Sequence, residues 1–344
     1  MSVEARKWEW ALGELGFTVR RVAGDLRDPR AGDTKLASLA IEPPQGAGPA
    51  SVAEIAAAID GSDLVVVENL CSLPLNLDAA RAVSLALAAH RGRVLLRHHD
   101  LPWQRRNLVH LDGEFPPRPE GALHVTVNIR SMRELASRRI EAVAMHNRFD
   151  LDAPRGDRAA GRATFGFDDD ELVILQPGRA IERKNVPGGV RLTRDLAALL
   201  PERRLRYWLT GPAEDGYGPM LERVLERAEV PVTLGRAASA AEAYAACDVV
   251  AFPSTWEGFG NPVVESVWAR RPLAAFPYPM LAEITAYGLQ FFSTDAPADL
   301  ARFVRDPDKT RFDVNLTRAR KALSLTDLPA QIDEAFGAMG WVSW

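Results

Sequence analysis

Two glutamates with seven residues between them, Glu257 and Glu265, frame the stretch of the 344-residue chain with the most chemical potential. Between them lie Gly258, Phe259, Gly260, Asn261 and Pro262. Asn261 suits a helix N-cap and Pro262 the first helical position, so the amides of a first turn would open beside both acids. Such a helix start attracts anions. The apolar run Val249 to Phe252 just upstream predicts a short buried strand, which makes the whole stretch strand, glycine loop and helix. The plain alternative is that Glu265 only complements the helix dipole and Glu257 is a solvated loop residue.

A second cluster, QPGRAIERKN, follows the predicted strand 172–175 and carries Gly178, Arg179 and Lys184. Ligands of parallel α/β sheets bind at the carboxyl ends of the strands, where this cluster must lie. An arginine fork matches two phosphate oxygens and a lysine adds a compact charge, so a diphosphate is the ligand the pair fits. Without such a ligand, Glu182, Arg183 and Lys184 would be an exposed charged turn. A strand from Leu205 to Leu209 runs into Thr210, Gly211 and Pro212, a further glycine turn at the same rim. Earlier, His98, His99 and Asp100 follow a strand at 93–97. A histidine pair at a strand end is either a ligand contact or a satisfied boundary group. Zinc is the weaker reading, since one adjacent carboxylate and no cysteine accompany the pair. The acidic strings Asp150-Leu-Asp152 and Asp168 to Asp170 lie in a polar connection and just before a strand, where turn and capping roles suffice. No metal site is expected.

The elements that must position these groups alternate between strand and helix. Strands are expected at 17–22, 38–41, 64–67, 93–97, 124–127 and 142–145, with helices at 4–15, 52–59, 77–90 and around 132–139. The second half repeats the pattern, with strands at 172–175, 205–209, 231–234, 249–252, 273–276 and 290–292. Helices connect them, including one capped by the box Ser239 to Glu242, and helical segments at 297–305 and 316–339 end the chain. Alternation of this kind builds parallel, doubly wound sheets. The length favours two domains, read as 1–150 and 171–315 joined by a polar linker at 151–170, with 316–344 as a terminal helix. A helix at Glu4 opens the chain where a doubly wound sheet would place its central strand, so that strand and its loop are expected to be missing from the first domain.

A net charge of −4 gives no general attraction to nucleic acid, and no apolar run approaches the ~20 residues of a membrane span. Peripheral membrane contact stays open. Cys71 and Cys247 sit beside apolar strands, which suits buried thiols in a reducing, cytoplasmic setting.

The segment PSTWEGFGNPVVES resembles the Glu-x7-Glu element of retaining glycosyltransferases of the GT-B fold, and GRAIERKN resembles their GRxxxxKN element. The resemblance implies two Rossmann-like domains facing across a cleft, the last helix crossing back to the first domain. It implies a nucleotide-diphosphate sugar as donor substrate, no cofactor, and a small-molecule, lipid or glycan acceptor. Arg179 and Lys184 would hold the diphosphate, Glu265 the ribose and Glu257 the sugar hydroxyls. His99, or His98, would reach the donor sugar, and Trp103 and Arg106 would shape the acceptor side. The acceptor would attack on the face the diphosphate leaves, retaining configuration. A non-catalytic nucleotide-sugar binder and a nucleotide-sugar epimerase of the same fold are the rival readings.

Overall fold

The computed structural model describes residues 3–341 and divides the chain into two compact units. One runs up to Arg148 and resumes at Leu325; the other is Phe149–Ser324.

The first unit contains α1 (Val3–Glu14), β1 (Val22–Ala23), β2 (Thr34–Lys35), α2 (Val52–Ile59), β3 (Leu64–Glu68), α3 (Leu77–Ala89), β4 (Arg93–His98), β5 (Leu123–Thr126), α4 (Ile129–Ala136) and β6 (Ala142–Ala144). The last four strands form a parallel sheet in the order β3-β4-β5-β6, while β1 and β2 pair only with each other. Ile55, Val83 and Leu87 from α2 and α3 pack with Val67 and Leu96 in one apolar cluster. Trp8 and Leu12 of α1 pack with Leu95 and Val125 in another. Both clusters draw on the alternating side chains of the same strands, as a covered parallel sheet requires.

Two expected strands are not there. Within 17–22 only Val22 joins a ladder. Phe17 and Val19 pack against the Trp8 cluster, and the Arg20 and Arg21 side chains bond to Asp60, Ser62 and Asp33. At 38–41 the chain instead forms a single turn of 3-10 helix, Ala37–Leu39. The Asn76 amide donates to the carbonyls of Ser38 and Ala40 at 2.9 and 2.7 Å, consuming acceptors that a neighbouring strand would need.

The second unit contains α5 (Arg158–Phe165), β7 (Glu171–Gln176), α6 (Val186–Leu199), β8 (Arg204–Leu209), α7 (Gly218–Glu226), β9 (Val232–Leu234), α8 (Ala240–Ala246), β10 (Val249–Phe252), α9 (Asn261–Trp268), β11 (Leu273–Ala275), α10 (Leu281–Thr285), β12 (Phe292–Ser293), α11 (Pro297–Arg305) and α12 (Thr310–Leu323). Its sheet is parallel, ordered β12-β11-β10-β7-β8-β9. β7 is buried along its whole length, and its middle residues 172–175 accordingly read as an unbroken apolar run between Glu171 and Gln176. The strand order reverses between β7 and β10, the place where sheets of this kind open a crevice for ligands. In the first unit the order of the four strands never reverses.

The stretch read as a linker contains α5, which belongs to the second unit's packing. Arg158 and Arg162 reach Asp248 at 2.5 and 3.2 Å, and Asp248 accepts from the Val173 amide at 2.8 Å. The terminal segment read as one helix is two, α12 and α13 (Leu328–Ala338), with the 3-10 turn Leu325–Asp327 between them. Pro329 opens α13, where a missing amide costs no helical bond. Ile332 and Phe336 of α13 then complete the Trp8 cluster of the first unit.

That unit also buries two neutral imidazoles. His98 receives no solvent contact; its Nδ1 lies 2.5 Å from Ser72 Oγ and its Nε2 2.9 Å from His124 Nδ1. Burial, with the neighbouring imidazoles His124 and His99 adding to it, pushes His98 well below the ordinary histidine value. Burial, then Arg118, brings His124 down to about 4. In the unfolded chain both titrate near ~6.5. Below that pH the unfolded chain binds more protons than the folded one, so stability falls as pH drops. The loss is up to about 1.4 kcal/mol per pH unit for each imidazole until its folded value is reached. Urea unfolding of the first unit is therefore expected at a lower midpoint at pH 5 than at pH 7, and His98→Gln/His124→Gln should flatten the dependence. A midpoint constant between those pH values in the wild type would contradict the assignment.

Candidate active site at the strand-order reversal

The loop after β7 and the loop after β10 meet over the reversal point. Lys184 Nζ lies 2.5 Å from Glu257 Oε1, and Arg183 Nη1 lies 2.9 Å from Glu257 Oε2. Arg183 Nη1 also donates to the Trp256 carbonyl at 3.0 Å. Lys184 and Glu257 are deeply set, their side chains only 12% and 9% exposed. Burial by itself would raise the Glu257 carboxyl, but Lys184 and Arg183 outweigh it and hold it below the ordinary glutamate value. Lys184 is lowered, chiefly by burial, against the pull of Glu257, and Arg183 adds to the lowering. The ammonium also sits 5.3 Å from the centre of the Phe252 ring.

Local sequence explains how these groups are held. Gln176, the last residue of β7, donates to the Lys184 carbonyl at 2.9 Å and accepts from the Tyr207 hydroxyl at 2.7 Å. Thr255 donates its amide to the Arg183 carbonyl at 2.8 Å, stapling the two loops together. Asn185 adopts φ +48° and caps α6 through the Gly188 amide at 3.2 Å. Gly178 adopts φ +111°, a backbone angle that favours glycine, and lies beside the Lys184 side chain. At Gly211 a Cβ would stand 2.3 Å from the Gly178 carbonyl oxygen, so two glycine turns touch backbone to backbone at this rim.

The sequence places the cap of α9 one residue late. Gly260, at φ +102°, is the N-cap, and Asn261 is the first helical residue. A Cβ at Gly260 would meet the Tyr278 hydroxyl at 2.1 Å, and that hydroxyl donates to the Phe259 carbonyl at 3.0 Å. Close approach as well as backbone angle thus requires glycine here. Phe259 is buried and stacks on Phe149 with ring centres 6.1 Å apart; Gly258 precedes it in the loop between Glu257 and the cap. Glu265, on α9, accepts a 2.8 Å hydrogen bond from Tyr244 of α8, a buried phenol that no motif marks.

Arg179 stands apart from this group. Its guanidinium is half exposed and pairs with Glu214 at 2.7 Å. An exposed pair of this kind contributes ~0–1 kcal/mol. Gly178 donates its amide to Thr210 at 3.0 Å. Arg183, which the sequence left in a charged turn, is the cation that reading missed; only its position beside Lys184 hinted at it.

In the first unit the histidine pair separates. His98 is committed to Ser72 and His124, whereas the His99 ring is partly exposed with Nε2 2.5 Å from Glu68 Oε1. Arg97 Nη1 donates to the same Glu68 oxygen at 2.6 Å. Of the two, His99 alone has a ring within reach of solvent. Trp103 is occupied structurally, its ring under Arg138 at 3.6 Å and its Nε1 donating to Glu134. Asp150 accepts from the Asp152 amide in a turn, whereas Asp168 and Asp170 form exposed ion pairs with Arg204. Among the described residues no three His, Cys, Asp or Glu side chains are grouped to hold a metal ion. Burial pushes both the Cys71 and Cys247 thiols up to about 12, so neither is a thiolate at neutral pH. Two surface cavities, of about 680 and 890 Å³, lie beside His90 and beside Phe292 and share no residue with the site.

Parallel sheets in two Rossmann-like units, one of them bearing this charged rim, define the GT-B class. Residues 171–306 match the sequence model of the family Glycosyl transferases group 1. The matched segment takes in β7, β10 and both loops that meet at the charged rim, so the second unit is similar to the group 1 glycosyltransferases. It is 26% identical over 269 residues to mannosylglucosylglycerate synthase of Thermotoga maritima, covering 69% of this chain and 62% of that protein. Sucrose-phosphate synthase of Thermosynechococcus elongatus superposes with a TM-score of 0.72 at 16% identity, covering 97% of this chain and 92% of that one. Anabaena HepE, solved with UDP and glucose, superposes with a TM-score of 0.64 at 19% identity over 83% of this chain and 81% of that one. The curated relative is longer, and the chain spans 62% of it.

The buried pairing carries a stability consequence. Glu257→Ala leaves two cations without a counter-charge, and removing one partner of a buried pair costs about 3–5 kcal/mol. Chemical denaturation of the second unit should show a loss in that range, whereas Arg179→Ala should change it by less than ~1 kcal/mol. Equal effects from the two substitutions would contradict the burial asymmetry described.

Proposed function

We propose that the protein is a retaining glycosyltransferase that moves a hexose from a nucleotide-diphosphate sugar to an acceptor hydroxyl, with the nucleoside diphosphate as leaving group. The observation that supports this most is the convergence of Arg183, Lys184 and Glu257 at the strand-order reversal, inside the segment matched by the group 1 family. In this reading Lys184 and Arg179, with the amides of the Gly178 turn, neutralise the charge that grows on the departing diphosphate. Such groups stabilise the transition state more than the ground state. Glu257, kept ionised by its cations, accepts hydrogen bonds from the sugar hydroxyls. Glu265, oriented by Tyr244, takes the ribose, with Gly258, Phe259, Gly260 and Asn261 shaping the loop around the donor. His99 is assigned to the donor sugar. No side chain is placed as a nucleophile, so the acceptor attacks from the face the diphosphate leaves, and a phosphate oxygen takes its proton.

The relatives' names favour mannose or glucose as the transferred sugar and a small glycoside as the acceptor class. The cytoplasm, as a reducing compartment, suits the two buried thiols. With fixed cations on the diphosphate, the reaction needs no metal, and EDTA should leave the rate unchanged. A non-catalytic binder is the second reading; the unreversed strand order of the first unit favours it.

Lys184→Ala and Glu257→Gln should each lower transfer at least 100-fold, measured by nucleoside diphosphate release from UDP-glucose and GDP-mannose with glycoside acceptors. Wild-type turnover in either variant, or full dependence on added Mg²⁺, would overturn this mechanism. Binding of a nucleotide sugar without any release or transfer would favour the second reading.

A further inference from the structure

Glu257 presents both carboxylate oxygens to cations. Oε1 faces Lys184 and Oε2 faces Arg183, each from the loop after β7. The two cations differ in what else they do. Lys184 is a point charge whose remaining N–H groups can swing to a phosphate. Arg183 is fixed at two points by one nitrogen, Nη1, which bridges Glu257 and the Trp256 carbonyl, while the Arg183 carbonyl accepts from Thr255. Its guanidinium is therefore locked in the loop that carries Glu257, independently of any ligand. When Lys184 turns part of its charge to a diphosphate, Glu257 is left with one permanent partner.

We infer that Arg183 is a positioning residue for this reaction: it holds Glu257 ionised and oriented toward the sugar hydroxyls while Lys184 engages the leaving diphosphate. This inference rests on the glycosyltransferase reading of the site. The geometry gives Glu257 two cations from neighbouring residues of the chain, of which Arg183 also bonds the Trp256 carbonyl. The other ionisable group facing Glu257 is the buried Tyr278, which stays neutral because burial, and then Glu257 itself, raise it well above the ordinary tyrosine value. Arg179 acts on Lys184 from further out. No second acid is among the groups acting on Glu257; Lys184 and Arg183 do most to keep it ionised, with a smaller contribution from Ser254.

The experiment compares wild type, Arg183→Gln and Arg183→Lys by donor hydrolysis from pH 4 to 8, using whichever of UDP-glucose and GDP-mannose binds, alongside titration with UDP and GDP. An opposite charge within hydrogen-bond distance lowers a carboxyl by about 1–3 pH units. Arg183→Gln should therefore move the acid limb of kcat/KM upward by about one pH unit and lower kcat more than it raises KM. Arg183→Lys should recover most of the shift. Nucleoside diphosphate affinity should fall less in Arg183→Gln than in Lys184→Ala. A thermal midpoint lowered in Arg183→Gln with the acid limb unmoved would mean a merely structural role and overturn the inference alone. Equal loss of UDP or GDP affinity in the two variants would make Arg183 a diphosphate ligand instead, also overturning it. If the wild type binds neither nucleotide, the reading of the site falls and the inference with it.

Discussion

The second unit turns on one buried contact, the ion pair between Lys184 and Glu257. Taking two charges out of water is costly, and the attraction between them compensates only where geometry and further bonds are good. Here the cost is met by a second cation, Arg183, and by loops tied to each other through Thr255 and through Asn185, whose amide donates to the Pro253 carbonyl. A pair retained under such conditions is a weak source of stability and a strong constraint on loop shape. It fixes the ends of β7 and β10 relative to each other at the point where the sheet reverses its order.

The rest of the unit can be understood as support for that contact. β7 is buried throughout, so its end cannot drift; Gln176 and Tyr207 then carry its position to the Lys184 carbonyl. The glycines act where side chains would collide: Gly211 against the Gly178 turn, and Gly260 against Tyr278. Asp248, gripped by Arg158 and Arg162, anchors the start of β10 on the far side of the sheet from the loop that holds Glu257. Positioning of this kind matters because a misplaced donor or charge forfeits the advantage of preorganisation.

Much of this was legible from residue order. The second unit's strands stand out because buried parallel strands are apolar on both faces, and the two motifs fall at strand ends where topology puts ligands. The sequence was misleading where tertiary partners overrode local pattern. Residues 17–22 have the composition of a strand but spend Phe17 and Val19 on a core, Arg20 on the Asp60 carbonyl and the Ser62 hydroxyl, and Arg21 on the Asp33 carboxylate, while Ser38 and Ala40 give their carbonyls to Asn76. Asn261 has the chemistry of a cap, yet Gly260 takes the position because only glycine fits against Tyr278. Tyr244 carried no signal by type or spacing and Arg183 only its place beside Lys184, since what makes them matter is a partner distant in the chain. Burial distinguishes His98 from the partly exposed His99, and burial at a strand's last residue cannot be read from one alternation.

The proposed function requires a nucleotide-sugar diphosphate to sit at the Lys184–Glu257 contact. The most direct measurement is a crystal structure of the protein soaked with UDP or GDP. The account places the diphosphate within hydrogen-bond reach of Lys184 Nζ and the ribose against Glu265. A nucleotide seated instead in the cavity beside His90 or beside Phe292, with Lys184 and Glu257 untouched, would contradict it.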